Sequence, residues 1–379
     1  MKILFLTQYD ESGASSRHCV YDYLLYFRKA GHEVSVRPLI RGDVYKILGG
    51  LADKSIIAFL GGVFRILRHF SGRWIDVIHA WKYDVVIIQK DVLPFGLQAL
   101  LRLGQKNIVF MTDDPIWLEH PGAGSNPILR KILCSYRRSL LKGIMRKARL
   151  VIADSPAIRD YATTYCKESV WLRTGIPLSL YKGVPARTNR DLVVGWIGSP
   201  STTYLLKRLL PYLEQIAKEI PFRLINLSSD PVEWKGINIE NGTWNQQNEL
   251  VALSQFDIGL MPADSGEFNQ SRFSRKYLTY GCARVPTLAS RNGQNIHQIQ
   301  HGRNGYLYDP DDSADFVEKC KALLRDATLR KRLGDAAYDD IEKRYEISLV
   351  GADFVRLIER QLETSLSREG FGDSVSFAS

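Results

Sequence analysis

Short apolar runs bounded by turn residues alternate with longer stretches of helical spacing along this chain, and about halfway the pattern stops and starts again. Runs of this kind are strands buried on both faces and joined through helices, which is how a parallel sheet is written in sequence. The first set is Lys2–Thr7, Glu33–Pro38, Val85–Gln89, Ile108–Thr112 and Leu150–Ala153. A stretch rich in Gly, Pro and basic residues, Thr174 to Arg190, separates it from Leu192–Ile197, Arg223–Leu227, Ile258–Met261 and Val285–Ala289. The expected class is therefore α/β, with two doubly wound domains over residues 1–183 and 190–345, and a Ser- and Gly-rich flexible tail at 366–379. A length of 379 residues suits this, since a domain takes roughly 150.

The charge is divided between the halves. Residues 1–190 hold 29 basic and 15 acidic side chains, and residues 191–379 hold 22 and 26. The first half therefore suits an anionic partner, while the second has another task. The basic excess is densest where Leu129, Ile132, Leu133, Tyr136, Leu140, Leu141, Ile144, Met145 and Ala148 recur at helical spacing, with Arg130, Lys131, Arg137, Arg138, Lys142, Arg146 and Lys147 between them. Residues 121–153 contain no Asp or Glu. Ile56–Trp74 repeats the theme with Arg65, Arg68 and Arg73. Basic amphipathic helices at 56–74 and 129–149 can lie on an anionic membrane, or simply pack on their own sheet. No recognised nucleic-acid motif accompanies them, so no nucleic-acid partner is expected.

The five cysteines are scattered, without metal-ligand spacing or a disulfide framework, and no run reaches the length of a membrane span. A cytoplasmic protein, soluble or peripheral at the inner face of the membrane, is expected.

Open α/β sheets bind ligands beyond the carboxyl ends of their strands, so the loops that follow strands carry the candidate sites. After Leu192–Ile197 comes Gly198-Ser199-Pro200-Ser201-Thr202-Thr203, a turn whose amides and hydroxyls suit a phosphate or, more simply, cap a helix. After Ile258–Met261 comes a loop ending in Ser271-Arg272-Phe273-Ser274-Arg275-Lys276. Three cations at a helix start oppose the local dipole, a conflict that an anionic ligand would resolve. In the first half, Asp113 and Asp114 follow a strand and suit acceptance of a hydroxyl proton, or capping before Pro115. Ser15, Ser16 and Arg17 lie between the first strand and a helix, without a G-x-G-x-x-G fingerprint.

Three segments carry a resemblance: the strand FDIGLMP, the Pro-preceded strand RVPTLAS and the segment IHQIQHGRNGYLY, all within Phe256–Pro310. With VVGWIGSPSTTYLL, FMTDDPIW and TGIPLSLY they resemble the retaining glycosyltransferases of family 4, which have the GT-B fold. The resemblance runs from Val85 to about Arg344. It implies two Rossmann-like domains facing across a cleft, with a nucleotide-sugar held by the second, an acceptor by the first, and a helix at about 349–365 crossing back to the first. It also implies transfer with retention and no bound metal or other cofactor.

Donor-binding residues would be Gly198, Ser199, Ser201, Thr202, Ser271, Phe273, Ser274, Arg275 and Thr279. Arg272, Lys276 and Asp113 would be catalytic, and Ser15, Ser16, Arg17 and Asp114 would hold the acceptor. The pair of glutamates usual in that family is replaced by Ser271 and Thr279, and Thr112 and Asp113 stand near the place of its catalytic histidine. The expected activity is transfer to a lipid-linked or other saccharide acceptor in cell-envelope or surface polysaccharide synthesis. The alternative is a non-catalytic relative that binds nucleotide or glycan, or scaffolds an active partner.

Overall fold

The computed structural model describes residues 1–41, 71–90, 93, 95–119, 127–185 and 191–370. They form two compact units. One takes its residues from Met1–Trp117, Ile128–Gly175 and Ile347–Ser379, the other from Leu118–Pro127 and Ile176–Glu346.

The first unit is a six-stranded, all-parallel sheet in the order β2-β1-β3-β4-β5-β6. Its strands are β1 (Lys2–Tyr9), β2 (Glu33–Ile40), β3 (Val85–Gln89), β4 (Ile108–Thr112), β5 (Leu150–Ala153) and β6 (Ser169–Trp171). Every residue of β3, β4 and β5 is buried, which explains their unbroken apolar sequence. The order reverses at β1, so right-handed crossovers place helices on both faces. Helix Leu24–Lys29 and the C-terminal helix Ile347–Gly370 share one face, where the Phe27 and Phe354 rings meet edge to face at 5.0 Å. Helices Phe95–Gly104 and Pro127–Lys147 are neighbours elsewhere on the sheet, tied where Gln98 Nε2 donates to the Leu140 carbonyl at 2.9 Å.

The second unit is also six-stranded and parallel, in the order β12-β11-β10-β7-β8-β9. Its strands are β7 (Val193–Ile197), β8 (Arg223–Leu227), β9 (Asn238–Gly242), β10 (Ile258–Met261), β11 (Thr287–Ser290) and β12 (Tyr306–Tyr308). Counted within the unit, this is the doubly wound order 3-2-1-4-5-6, with its reversal between β7 and β10. The α/β class with two doubly wound domains is what the structure shows.

The turn Gly198–Thr203 leads into two helices, Thr203–Lys207 and Leu210–Ala217, because Pro211 has no N–H to continue the ladder. One local expectation changes. Arg73 does not belong to a membrane-facing stripe. It is 2% exposed, and its guanidinium donates to the carbonyls of Thr7 and Arg37, both at 2.9 Å. Residues 56–70 of that same basic segment lie outside the described residues.

Candidate active site

In the second unit, the strand-order reversal places the two loops that follow β7 and β10 side by side. β7 and β10 pair only at Val194–Ile258 and Gly195–Gly259, and beyond that the strands part. The Tyr280 hydroxyl fills the gap: it accepts from the Ile197 amide at 3.1 Å and donates to the Leu260 carbonyl at 3.0 Å. Burial pushes this phenol far up, so it stays a donor at any working pH. Tyr280→Phe should leave both backbone groups unsatisfied and destabilise the unit by about 1–3 kcal/mol, while loosening the loop after β7. Urea unfolding together with nucleotide affinity checks this, and unchanged values in both would remove the clamp.

That loop turns at Gly198, where a Cβ would stand 2.3 Å from the Trp196 ring, so only glycine fits. Ser199 Oγ lies 3.0 Å from Ser201 Oγ, and Thr202 Oγ1 donates to the Ser199 carbonyl at 2.9 Å. The hydroxyls thus brace a turn of 3-10 helix, Pro200–Thr202, as well as lining it.

After β10 the chain is held by a polar network. The Asp264 carboxylate accepts from Tyr204 Oη (3.1 Å), Asn269 Nδ2 (2.8 Å) and the Gly266 amide (3.0 Å). The Ala263 amide donates to Ser290 Oγ at 2.7 Å. The network delivers Arg272, Phe273, Ser274 and Arg275, all half-buried, to the start of helix Lys276–Cys282. Ser271 and Thr279 are both buried. The Lys276 ammonium lies 5.5 Å from the centre of the Trp196 ring, so it reaches from the β10 loop to β7. Burial first, and then the neighbouring Arg272 charge, push its pKa down to about 7. An ammonium this easily discharged is poised to gain from an anion. A nearby cavity of about 220 Å³, lined among others by Leu205, Arg208, Pro262, Tyr308, Asp309 and Phe316, includes none of Arg272, Arg275 and Lys276.

In the first unit, the sheet's reversal lies between β1 and β3. Gln89, the last residue of β3, joins their ends: its Oε1 accepts from Ser16 Oγ at 2.8 Å, and its Nε2 donates to Ser15 Oγ at 3.0 Å. Ser16 is fully buried and its Oγ also accepts from the Tyr9 amide at 3.0 Å, so it holds the loop from within. Arg17 is half-buried beside it.

The next residue, Lys90, has φ 60°, a strained conformation for a side chain of this size. Its ammonium lies 3.5 Å from Asp113 Oδ1 and hydrogen-bonds Asp114, so it stands between the two carboxylates. Burial opposes this charge, but Asp113 and Asp114 more than offset it and hold the ammonium well above the ordinary lysine range. The residue patterns of the strands did not single out Lys90. Its place immediately after β3, at the reversal, was the available signal.

Two doubly wound parallel sheets of these orders define the GT-B fold of glycosyltransferases, and solved structures of that class superpose on the chain. Sucrose-phosphate synthase from Thermosynechococcus elongatus matches with a TM-score of 0.67 at 14% identity, covering 96% of this chain and 99% of that one. HepE of Anabaena, solved in complex with UDP and glucose, matches with a TM-score of 0.64 at 16% identity, covering 95% and 100%. Residues 249–340, which include the β10 loop and the helix of Lys276, match the family model of glycosyl transferases group 1. The sulfoquinovosyl transferase SQD2 of Arabidopsis thaliana is 23% identical over 357 residues, and the match covers 85% of this chain and 66% of that protein. The family model covers about a quarter of the chain, and the likeness to the solved structures is one of fold.

Proposed function

We propose that this protein moves a sugar, with retention of configuration, from a nucleotide-sugar to a lipid-linked or other saccharide acceptor in envelope or surface polysaccharide synthesis, working at the cytoplasmic face of the membrane. The observation that carries the proposal is the group formed by Lys276, Arg272 and the Gly198–Thr202 turn at the strand reversal of the second unit. It offers cationic side chains and backbone amides where a doubly wound sheet binds nucleotide. The presence of UDP and glucose in HepE supports a nucleoside diphosphate as the ligand.

As the bond from the sugar to the β-phosphate breaks, negative charge grows on the leaving diphosphate. Lys276, Arg272 and Arg275 stabilise it, with amides around Ser199, and no metal is needed for that. Ser271, Phe273, Ser274 and Thr279 would shape the donor pocket beside them. Asp113 and Asp114, steadied by Lys90, hold the acceptor hydroxyl together with the loop of Ser15 and Arg17. Because Lys90 already engages Asp113, the hydroxyl proton goes to the departing phosphate. Among the described residues, no helix is long and apolar enough to cross a membrane.

A thermal-shift screen over nucleoside diphosphates and their sugar derivatives tests the reading, since a ligand at 100 times its Kd adds about 2.7 kcal/mol of apparent stability. Slow hydrolysis of the stabilising nucleotide-sugar without acceptor is expected. Stabilisation with no hydrolysis and no transfer would favour the non-catalytic alternative instead, to which the absence of both family glutamates points.

A further inference from the structure

The helix Pro127–Lys147 carries more positive charge than its packing needs. Arg138, Lys142 and Arg146 follow one another at four-residue spacing, which places like charges one turn apart and weakens a helix. Among the described residues, none of the three is ion-paired with a carboxylate. Two of them are seated instead on an aromatic ring, and the third on a backbone carbonyl. Lys142 Nζ lies 5.8 Å and the Arg146 guanidinium 5.4 Å from the centre of the Tyr165 ring. Arg138 donates through Nε and Nη2 to the Trp117 carbonyl at 3.2 and 3.1 Å, and the Trp117 ring stacks on Tyr161 at 3.9 Å. One ring and one backbone carbonyl fix three long cationic side chains without neutralising them.

At about 100° per residue, Lys131, Arg138, Lys142 and Arg146 fall within an arc of about 80°. Next to it on the same helix lie Ile132, 60% exposed, and Tyr136, 52% exposed. An exposed aliphatic and a tyrosine beside fixed cations suit the boundary between lipid headgroups and acyl chains. Trp117 is four residues beyond Asp113, so their Cα atoms are within about 14 Å. A phosphate on this arc and a hydroxyl at Asp113 can therefore belong to one lipid-borne acceptor.

We propose that Arg138, Lys142 and Arg146, held by the Trp117 carbonyl and the Tyr165 ring, form a subsite for the phosphate group of a lipid-borne acceptor. A phosphate monoester carries between one and two negative charges and accepts paired hydrogen bonds from arginine. The inference rests on the transferase reading for the acceptor's role, but it is tested apart from nucleotide binding.

Flotation of the full chain with phosphatidylcholine vesicles containing phosphatidic acid, or phosphatidylserine brought to the same zeta potential, provides the test. The expected result is tighter binding to phosphatidic acid, weakened about a hundredfold in Arg138→Gln/Lys142→Gln/Arg146→Gln, given roughly fivefold per cation at such a surface. Arg28→Gln/Lys29→Gln/Lys167→Gln removes the same charge from exposed positions of the same unit and should keep the preference. Tyr165→Leu keeps all the charge but removes the seat, and should reduce the preference several-fold. Equal losses in the two triple variants, or equal binding to the two lipids by the unaltered protein, would overturn the subsite. Thermal shift with nucleoside diphosphate should be the same in every variant, so failure of nucleotide binding would be seen separately.

Discussion

Nucleoside diphosphate binding should be accompanied by uptake of nearly one proton per molecule when measured above pH about 8, and Lys276→Met should abolish that uptake. The sign follows from the environment. Burial and Arg272 hold the unliganded Lys276 at about 7, so above that pH the side chain is mostly neutral. A diphosphate placed against it favours the ammonium, and the proton must come from solution, because a terminal phosphate with a pKa near 6 has already lost its own. Affinity should then fall by up to about tenfold per pH unit. Calorimetry in buffers of different ionisation enthalpy reads the proton directly. The same lysine lowers the stability of the unliganded protein at neutral pH. Its folded pKa lies below the unfolded value, so stability should rise between pH about 7 and 10 in the unaltered chain and not in Lys276→Met. Turnover by Lys276→Ala or Arg272→Ala should fall by at least about 10²-fold, as when one preorganised donor is removed from a developing anion. Proton uptake that survives Lys276→Met, with turnover intact in both variants, would take these residues out of the mechanism.

Lys90→Met should be the most damaging single change at the acceptor loops. The side chains of Lys90, Asp113 and Asp114 are only 12%, 18% and 25% exposed, so removing the cation leaves two adjacent carboxylates largely shielded from water. Breaking a pair buried to this degree costs roughly 3 kcal/mol. Urea unfolding of both proteins at neutral pH measures this, and an unchanged midpoint would overturn it. Lys90→Gly, which relaxes the φ of 60° but also lacks the charge, should lose less.

The buried strands were legible because each lies between two layers of helices and so is apolar at consecutive positions: Val85–Gln89 and Ile108–Thr112 need no partner to be recognised. β6, β9 and β12 were missed for the opposite reason. All three are edge strands, and Asn238–Gly242 has five residues, none of them buried, so nothing in its composition separates it from a loop. The loops that carry the candidate sites could be found by the rule that ligands lie beyond strand carboxyl ends. Which side chains in them face outward could not: Ser16 reads as an exposed hydroxyl in a turn but is fully buried on Gln89, 73 residues away.

The sequence by itself determined the class of fold, because the alternation of apolar runs and helical spacing is local and survives without knowledge of any partner. It also determined that positive charge gathers in the first half. Only the tertiary structure decided what the charges do. Arg73 is spent on the carbonyls of Thr7 and Arg37, while Lys142 and Arg146 stand on the Tyr165 ring, Arg138 bonds the Trp117 carbonyl, and all three remain without carboxylate partners among the described residues. Lys276 is an ordinary ammonium in sequence and becomes a poised one through burial and Arg272. Burial and charge pairing depend on residues far apart in the chain, and no local pattern encodes those distances.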